Sequence, residues 1–452
     1  MNNTSTSKYI LGLAHEYSLH VAQQRSIPHI ADSLKSSQRL ILYALGKKAE
    51  RIKTAALTGE LMASGLYHNG DASCNLTISY LAGPFKNNLA FVAPHGAFGT
   101  KIDPDSMGAG RYTSVSRSRL ADAFLYVDSD IVPMRDNYDG NKEPEHLLPL
   151  LPLTLLNGIA GIAVGFSTEI LPRDFLGLVN ASIDALNEKK TLRGLDPHYM
   201  RYDLEINKTG HNQYEFIGRV KIEGNVIRVT ELPPGLSLEK FRKSLIQLEE
   251  ADDSNIISFT DRSRDEINVE VKFKRGSISS WTEADAIAFF KLKVKVTERI
   301  VVVNWDGKSI RTIDDPATLV REFVQWRLGW YTTRFEKLRD DASHELIYWR
   351  LLKALFDNGF TKKLGTFPNK SAMAAAVEAV AKKVKIVLGE GHLDRALSLA
   401  TYRWTKEFEA EVGQKIAGIE ADIAEYISTI ASPEKLKSIY MGELEALKKL
   451  KL

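Results

Sequence analysis

Hydrophobic residues recur along this chain with two different periods, and the switches between them divide it into four textures. Near the start, Ile10, Leu13, Ala14, Tyr17 and Val21 fall every three or four residues, which predicts a helix. A second helix is predicted over Ser37 to Leu45, followed by the basic stretch Lys47, Lys48, Arg51 and Lys53. A third carries Ala56, Leu57, Glu60, Leu61 and Ser64 at helical spacing and stops near Gly65. Two short helices with a basic lead-in suit a helix-turn-helix or winged-helix unit, and suit an ordinary small helical domain as well. This first texture extends to about Asp136.

From Asn137 to Arg173 the chain is dense in Pro and Gly and reads as short strands and turns. From Asp174 to Pro316 it is mixed. Ile267, Val269, Val271 and Phe273 alternate with polar residues, the signature of a half-buried strand. Leu292, Val294 and Val296 alternate with lysines in the same way. Ile300 to Val303, then Asp306-Gly307, then Ile310 predicts a hairpin. From Ala317 onward the period is helical. One seam runs through Phe335, Leu338, Ala342, Leu346, Trp349, Leu352 and Phe356, and another through Val412, Ile416, Ile419, Ile423, Ile427 and Ile430. Narrow seams on two long helices suit an antiparallel coiled-coil arm, or a plain helical bundle. Ser432-Pro433 predicts the start of a last helix.

Composition changes this picture little. A 452-residue chain is long enough for about three domains. Hydrophobic content of 44%, charged content of 26% and a net charge of +3 are ordinary for a globular protein and neither demand nor exclude nucleic acid. The single cysteine, Cys74, excludes an internal disulfide framework, fits a reducing compartment and reads as a small buried hydrophobe. Met1 to Lys8 is polar, without the apolar stretch of a signal peptide. The longest apolar stretch, Leu147 to Phe166, is broken by Pro149, Pro152, Asn157 and glycines, so no membrane span is expected.

Candidate chemistry concentrates in two places. Arg111-Tyr112-Thr113 follows a loop rich in Gly, Asp and Ser. A tyrosine on such a loop can reach an outside substrate, and an adjacent arginine can grip a phosphate and offset charge on its oxygens. With a pKa near 10 the tyrosine needs a positive charge or a base nearby to act as a nucleophile. The same triplet also fits a half-exposed surface tyrosine. Tyr67-His68-Asn69-Gly70-Asp71 closes the third helix. His68 there is either a packing residue or a hydrogen-bond partner for a phosphate or the tyrosine oxygen. Asp103 with Asp105, and Asp128 with Asp130 after the apolar Phe124 to Val127, are pairs that could ligate a metal. No matching Glu accompanies them, which favours solvated loop acids. No nucleotide-binding glycine loop is present.

The order of short motifs resembles the A-type, DNA-breaking subunit of type IIA topoisomerases, such as gyrase A, topoisomerase IV A or the T-even-phage-type medium subunit. Arg25-Ser26-Ile27-Pro28 through Asp32, Leu34-Lys35, Gln38-Arg39 and Leu42-Tyr43-Ala44 is similar to one family signature. Tyr67 to Asp71, Gly96-Ala97-Phe98-Gly99, Asn137-Tyr138-Asp139-Gly140, Glu143-Pro144-Glu145, Leu151-Pro152-Leu153, Asn157-Gly158 with Gly161 to Gly165, and Thr230-Glu231-Leu232-Pro233 resemble others. Nearly the whole chain is covered. The resemblance implies an α+β multidomain fold. A winged-helix breakage-reunion domain with the catalytic tyrosine spans 1–136, a mixed α/β tower (shoulder) domain 137–316, and an antiparallel coiled-coil arm with a helical dimer gate 317–452.

By resemblance, Tyr112 becomes linked to a DNA 5′ phosphate and Arg111 stabilises that phosphate. Arg25, Lys35 and Arg39 hold the backbone, with Lys47, Lys53, His68 and Asn69 also on DNA. Ile162 wedges between bases and bends the duplex, and the helix from Ala55 to Ser64 faces the groove. The reaction implied is ATP-dependent passage of one duplex through a transient double-strand break in another, giving relaxation or decatenation by a homodimer. ATP and Mg²⁺ would be bound by a separate B-type subunit in a heterotetramer, in a bacterial or phage-infected host cytoplasm, and this chain would carry no metal site of its own. The family's His directly before the motif glycine is Asn69 here. The positions tied to quinolone binding are Ala72 and Leu76, so weak poisoning by fluoroquinolones is expected. Rival readings are a non-catalytic architectural DNA-binding scaffold and a tyrosine nuclease with its own metal site at Asp128 and Asp130.

Overall fold

The computed structural model describes residues 6–450, with side chains from Gly12 onward; the polar leader Met1–Ser5 lies outside the described residues. Helix α1 (Thr6–Val21) forms where the first periodicity placed it and runs into a π-helical turn, Ala22–Ser26. Among the described residues, nothing covers the part of its apolar stripe from Leu13 to Tyr17. Leu13 is 49% and Tyr17 68% exposed.

The next elements follow winged-helix order: α2 (Ser36–Gly46), β1 (Ile52–Lys53), α3 (Thr54–Ala63), α4 (Asp71–Ala82), β2 (Val92–His95) and β3 (Ser114–Arg117). The sheet order is β1-β3-β2, all antiparallel. Helix α2 starts cleanly because the Gln38 side chain accepts from the Lys35 backbone N–H at 3.0 Å, satisfying a donor the helix leaves open. It buries Leu40, Ile41, Leu42 and Leu45, and α3 and α4 add Leu57, Leu61, Cys74 and Ile78. Helix α3 stops at Gly65, whose φ of 65° suits glycine. The long wing between β2 and β3, residues 96–113, ends in the Arg-Tyr-Thr triplet.

After α5 (Arg119–Phe124) come a hairpin, β4 (Met134–Asp136) with β5 (Lys142–Pro144), and a second, β6 (Ile159–Ala163) with β7 (Phe166–Ile170). Between them the Pro-broken apolar stretch is buried, and part of it is a short helix, α6 (Leu153–Asn157), where the sequence predicts only strands and turns. Phe124 to Val127 forms the end of α5 and a turn. Asp128, which follows, is not the solvated loop acid that the sequence favours. It is buried in an ion pair with buried Arg327.

Helix α7 (Phe175–Leu186) leads into the α/β region. Strands β8 (Glu205–Gly210), β9 (Gln213–Ile217), β10 (Arg219–Glu223) and β11 (Val226–Glu231) precede α8 (Leu238–Glu249). Then follow β12 (Ile256–Asp261), β13 (Val269–Phe273), α9 (Glu283–Phe289) and β14 (Lys293–Thr297). They form two antiparallel sheets, β10-β11-β13-β12 and β14-β9-β8. The alternation at Ile267 to Phe273 puts Val269, Val271 and Phe273 into a core with Ile227, Val229, Phe241 and Leu245. The predicted hairpin is β15 (Ile300–Val303) with β16 (Ile310–Ile313), but all four residues of β15 are buried. Arg173 and Glu298, both fully buried, pair at 2.6 Å and fasten this region to the segment after β7.

Residues 328–442 form one compact unit and the rest of the chain another. Helix α10 (Pro316–Asp357) supplies one strand of the arm; α11 (Lys370–Lys383) and α12 (His392–Leu397) form its helical insert; α13 (Lys406–Ile430) returns. Phe335 meets Tyr426, Lys353 meets Glu409 and Phe356 meets Phe408, a descending register that makes the pair antiparallel. Ser432 caps the last helix, α14 (Pro433–Leu447), accepting from Lys435 N at 3.3 Å. No helix among the described residues is long and apolar enough to cross a membrane.

Two stacked imidazoles, His29 and His146, lie buried with ring centroids 5.5 Å apart. Burial pushes His29 down to about 3 and His146 below the usual histidine range. Unfolding frees both to protonate near pH 6.5, so below about that pH the unfolded chain binds more protons and stability falls as pH drops toward 3. The urea midpoint of the chain should be lower at about pH 5 than at pH 8, and His29→Asn, which can still accept from Ala31, should flatten the difference. A midpoint flat over that range would refute the assignment.

Candidate functional site

The tyrosine loop is held by its backbone and open at its side chain. Ala55 N donates to Gly110 O at 3.1 Å and Thr54 N to Thr113 O at 3.2 Å. The hydroxyls of Thr54 and Thr113 meet at 2.9 Å, and Lys53 Nζ donates to the Arg111 carbonyl at 3.0 Å. Tyr112 N closes a turn on Ala109 O at 2.8 Å. Glycine at position 110 lets the wing lie close against α3, where a Cβ would stand 2.9 Å from Asn75 Oδ1 and 3.3 Å from Ala55 N. The wing end is thus latched onto the start of α3. The Tyr112 ring is nonetheless 71% exposed, with the Arg111 guanidinium 4.7 Å from its centroid. A fixed backbone, an exposed tyrosine side chain and a guanidinium beside its ring form an arrangement suited to nucleophilic attack on an outside phosphate.

The second group gathers around β6 and β7. Ile162 is 86% exposed beside the hairpin's turn, with Val164 and Phe166 exposed next to it. The base of the hairpin lies against the π-helical turn so closely that a Cβ on Gly161 would fall 2.0 Å from the Ser26 carbonyl oxygen. Arg25, exposed, is the neighbour of that contact. Lys35, at the start of α2, donates to the Ala160 carbonyl at 3.0 Å, and burial lowers its ammonium pKa. Arg25, Lys35 and Ile162 therefore belong to one assembly, although the Lys35–Ala160 bond alone spans 125 positions of sequence.

The remaining expected residues divide. Lys47 is exposed over the Tyr43 ring at 4.1 Å, and Lys53 is exposed beside Arg111. His68 and Asn69 are exposed just ahead of α4. Arg39 differs: it is buried, with Nε 2.6 Å and Nη2 3.1 Å from the Asp32 carboxylate. Its guanidinium braces the protein, and the expected grip on a DNA backbone does not match that orientation. Ala72 and Leu76 both sit on exposed positions of α4. No cluster of three or more His, Cys, Asp or Glu side chains able to share a metal ion occurs among the described residues.

Two functional contributions are not visible in the sequence pattern. The Thr54–Thr113 latch joins residues 59 positions apart, and only the placement of Thr113 beside the tyrosine could have hinted at it. The loop Asn137 to Asn141 reaches back to α3, where Asn137 Nδ2 donates to Gly65 O at 2.7 Å.

The hairpin gives a sharp contrast. Gly161→Ala must push two backbones apart and should cost about 2–4 kcal/mol of stability, read as a lowered melting temperature. Ile162→Ala, at an exposed position, should change stability by no more than about 0.5 kcal/mol. Equal effects would mean that the hairpin is not docked as described.

Residues 25–445 match the family of the DNA gyrase/topoisomerase IV A subunits. The chain is 31% identical over 328 residues to DNA topoisomerase 2-alpha of Gallus gallus, covering 70% of this chain and 21% of that protein. It is 27% identical over 458 residues to DNA topoisomerase 2 of Trypanosoma brucei brucei, covering 96% and 36%. The chain therefore spans between about a fifth and about a third of the length of these curated relatives. In fold it resembles the Plasmodium falciparum topoisomerase II DNA-binding, cleavage and re-ligation domain, with a TM-score of 0.85 at 21% identity, over 97% of this chain and 63% of that one.

Proposed function

Because the chain belongs to the family of the DNA gyrase/topoisomerase IV A subunits, we propose that it is the DNA-cleaving subunit of a type IIA topoisomerase. The observation that carries this reading is the exposed Tyr112 ring on a latched backbone beside Arg111. Tyr112 attacks a backbone phosphorus and takes the 5′ phosphate, the 3′ oxygen leaves, and Arg111 offsets the charge on the phosphate oxygens. The phosphotyrosine bond conserves the energy of the broken phosphodiester, so resealing needs no further input. Arg25, Lys35, Lys47 and Lys53 hold the flanking backbone, and Ile162 enters a base step and bends the duplex. His68 or Asn69 takes the family histidine's place.

Strand passage is ATP-dependent in this reading, and ATP and Mg²⁺ belong to a separate B-type subunit. One observation supports a partner: α1 presents Leu13 and Tyr17 uncovered, as Tyr138 is at 86% exposure. The assembly is a heterotetramer built on a homodimer of this chain. Its three parts are 1–136, 137–316 and 317–452, and its setting is a bacterial or phage-infected cytoplasm, although the relatives named above are eukaryotic. The nuclease reading loses its metal ligand because Asp128 is paired with Arg327.

Covalent trapping tests the nucleophile. With the B-type partner, a divalent metal and end-labelled supercoiled DNA, a detergent quench should leave wild-type chain on 5′ ends of a double-strand break, and Tyr112→Phe should leave none. Equal trapping by both would assign the chemistry to another residue; trapping by neither, with DNA still bound, would favour the architectural reading.

Salt dependence separates the arginines. Arg25→Ala or Lys53→Ala should weaken DNA binding across sequences and reduce the slope of log affinity against log salt by about one each. Arg39→Ala should instead unfold the chain more readily, by about 3–5 kcal/mol, because it strands a buried carboxylate. A slope change from Arg39→Ala with unchanged stability would restore it as a phosphate ligand.

A further inference from the structure

One side chain near the site has a partner to which the proposed reaction gives no role. His68 Nδ1 lies 3.7 Å from Asp139 Oδ2, both side chains being about half exposed. A pair this open would ordinarily be worth little, since two mobile side chains must be held together in water. Here the backbone that carries the carboxylate is fixed. Asn137 Oδ1 accepts from Asp139 N and Asn141 N, both at 2.9 Å, which folds the loop on itself. Asn137 Nδ2 donates to the Gly65 carbonyl at 2.7 Å, which clamps that loop to the end of α3. Gly65 leaves room for it, since a Cβ there would lie 2.6 Å from Asn141 Nδ2 and 3.4 Å from Asp139 Oδ2. The histidine follows three residues after that glycine. Asp139 and His68 are thus brought together by two backbone anchors, not by their own attraction.

We propose that Asp139 is a positioning residue for His68. It holds the neutral imidazole in the Nδ1–H tautomer, so that Nε2 faces outward as a bare acceptor for a hydroxyl proton. A carboxylate aimed at one ring nitrogen fixes the proton there and leaves the other nitrogen basic, the logic of any carboxylate-oriented histidine. A free neutral imidazole prefers the opposite tautomer, whose outward Nε2–H would donate to a phosphate oxygen. The aspartate therefore selects between the two uses open to His68. The inference rests on the function proposed above, with the tyrosine hydroxyl as the donor His68 meets.

The tautomer can be read without any activity. In the ¹⁵N-histidine-labelled chain above about pH 8, where imidazole is neutral, long-range ¹H–¹⁵N correlations should show His68, assigned by its loss in His68→Gln, with the proton on Nδ1. Asp139→Ala should move it to Nε2, and Asp139→Asn, whose Oδ1 still accepts, should largely keep it on Nδ1. An Nε2–H form in wild type, or no change in Asp139→Ala, overturns the proposal. In the cleavage assay with the partner, Asp139→Ala should slow cleavage about tenfold while DNA affinity stays within about twofold. In a His68→Ala background it should do nothing more. Additive losses would mean that Asp139 acts elsewhere. Tyr112→Phe, run alongside, keeps the failures apart: undiminished trapping there sinks the proposed function, whereas abolished trapping with additive losses sinks only the Asp139 assignment.

Discussion

The carboxylate of Asp32 is fully buried and accepts four hydrogen bonds, from Arg39 Nε and Nη2, Leu34 N and Leu147 N. Burial alone would drive its proton affinity up. The Arg39 guanidinium and the backbone donor at Leu147 more than reverse that, and the group is held below the usual carboxylate range. A buried charge of this kind is tolerable only when every bond is made, so it enforces one arrangement of the three segments that feed it. Those segments are the loop after the π-helical turn, the first turns of α2, and the apolar stretch ahead of α6. Lys35 extends from the second of these to the hairpin backbone, and Ser26, the last residue of the π-helical turn, meets the hairpin just ahead of the first. The geometry around Arg25, Lys35 and Ile162 follows from a charge that none of them touches.

The tyrosine is organised by a different device. The wing is an exposed loop, yet its last residues are tied to β1 and α3 by backbone bonds and the paired threonine hydroxyls. Loops of that length usually gain order from their own packing; this one borrows it from the helix beside it. The division of labour is clean. Main-chain groups set where the nucleophile is, and side-chain freedom lets it meet a substrate that arrives from outside.

Much of this was legible in the sequence because the periodicities are local properties. The helices α1 to α3, the strand through Val269 to Phe273, the β15–β16 hairpin and the capped last helix all follow from spacing and turn chemistry within a dozen residues. What spacing does not report is what lies opposite. The α1 stripe has helical period but no cover among the described residues, because a period says which residues share a face and not whether that face is met. Asp128 reads as a solvated acid because its partner is 199 residues away. Arg39 sits in a motif that resembles a phosphate grip, but its nearest charge is the aspartate seven residues earlier, and burial settles the contest between them. The Asp139 contact with His68 was hidden for the same reason.

The contact between Gly161 and the Ser26 carbonyl has a mechanical consequence. Side chains yield under load by changing rotamer, whereas two main chains already touching cannot move closer. A force applied at Ile162 is therefore passed through the hairpin into the turn after α1 with little give, and the hairpin behaves as a bracket and not as a spring. Whatever bends against that tip must do its own bending.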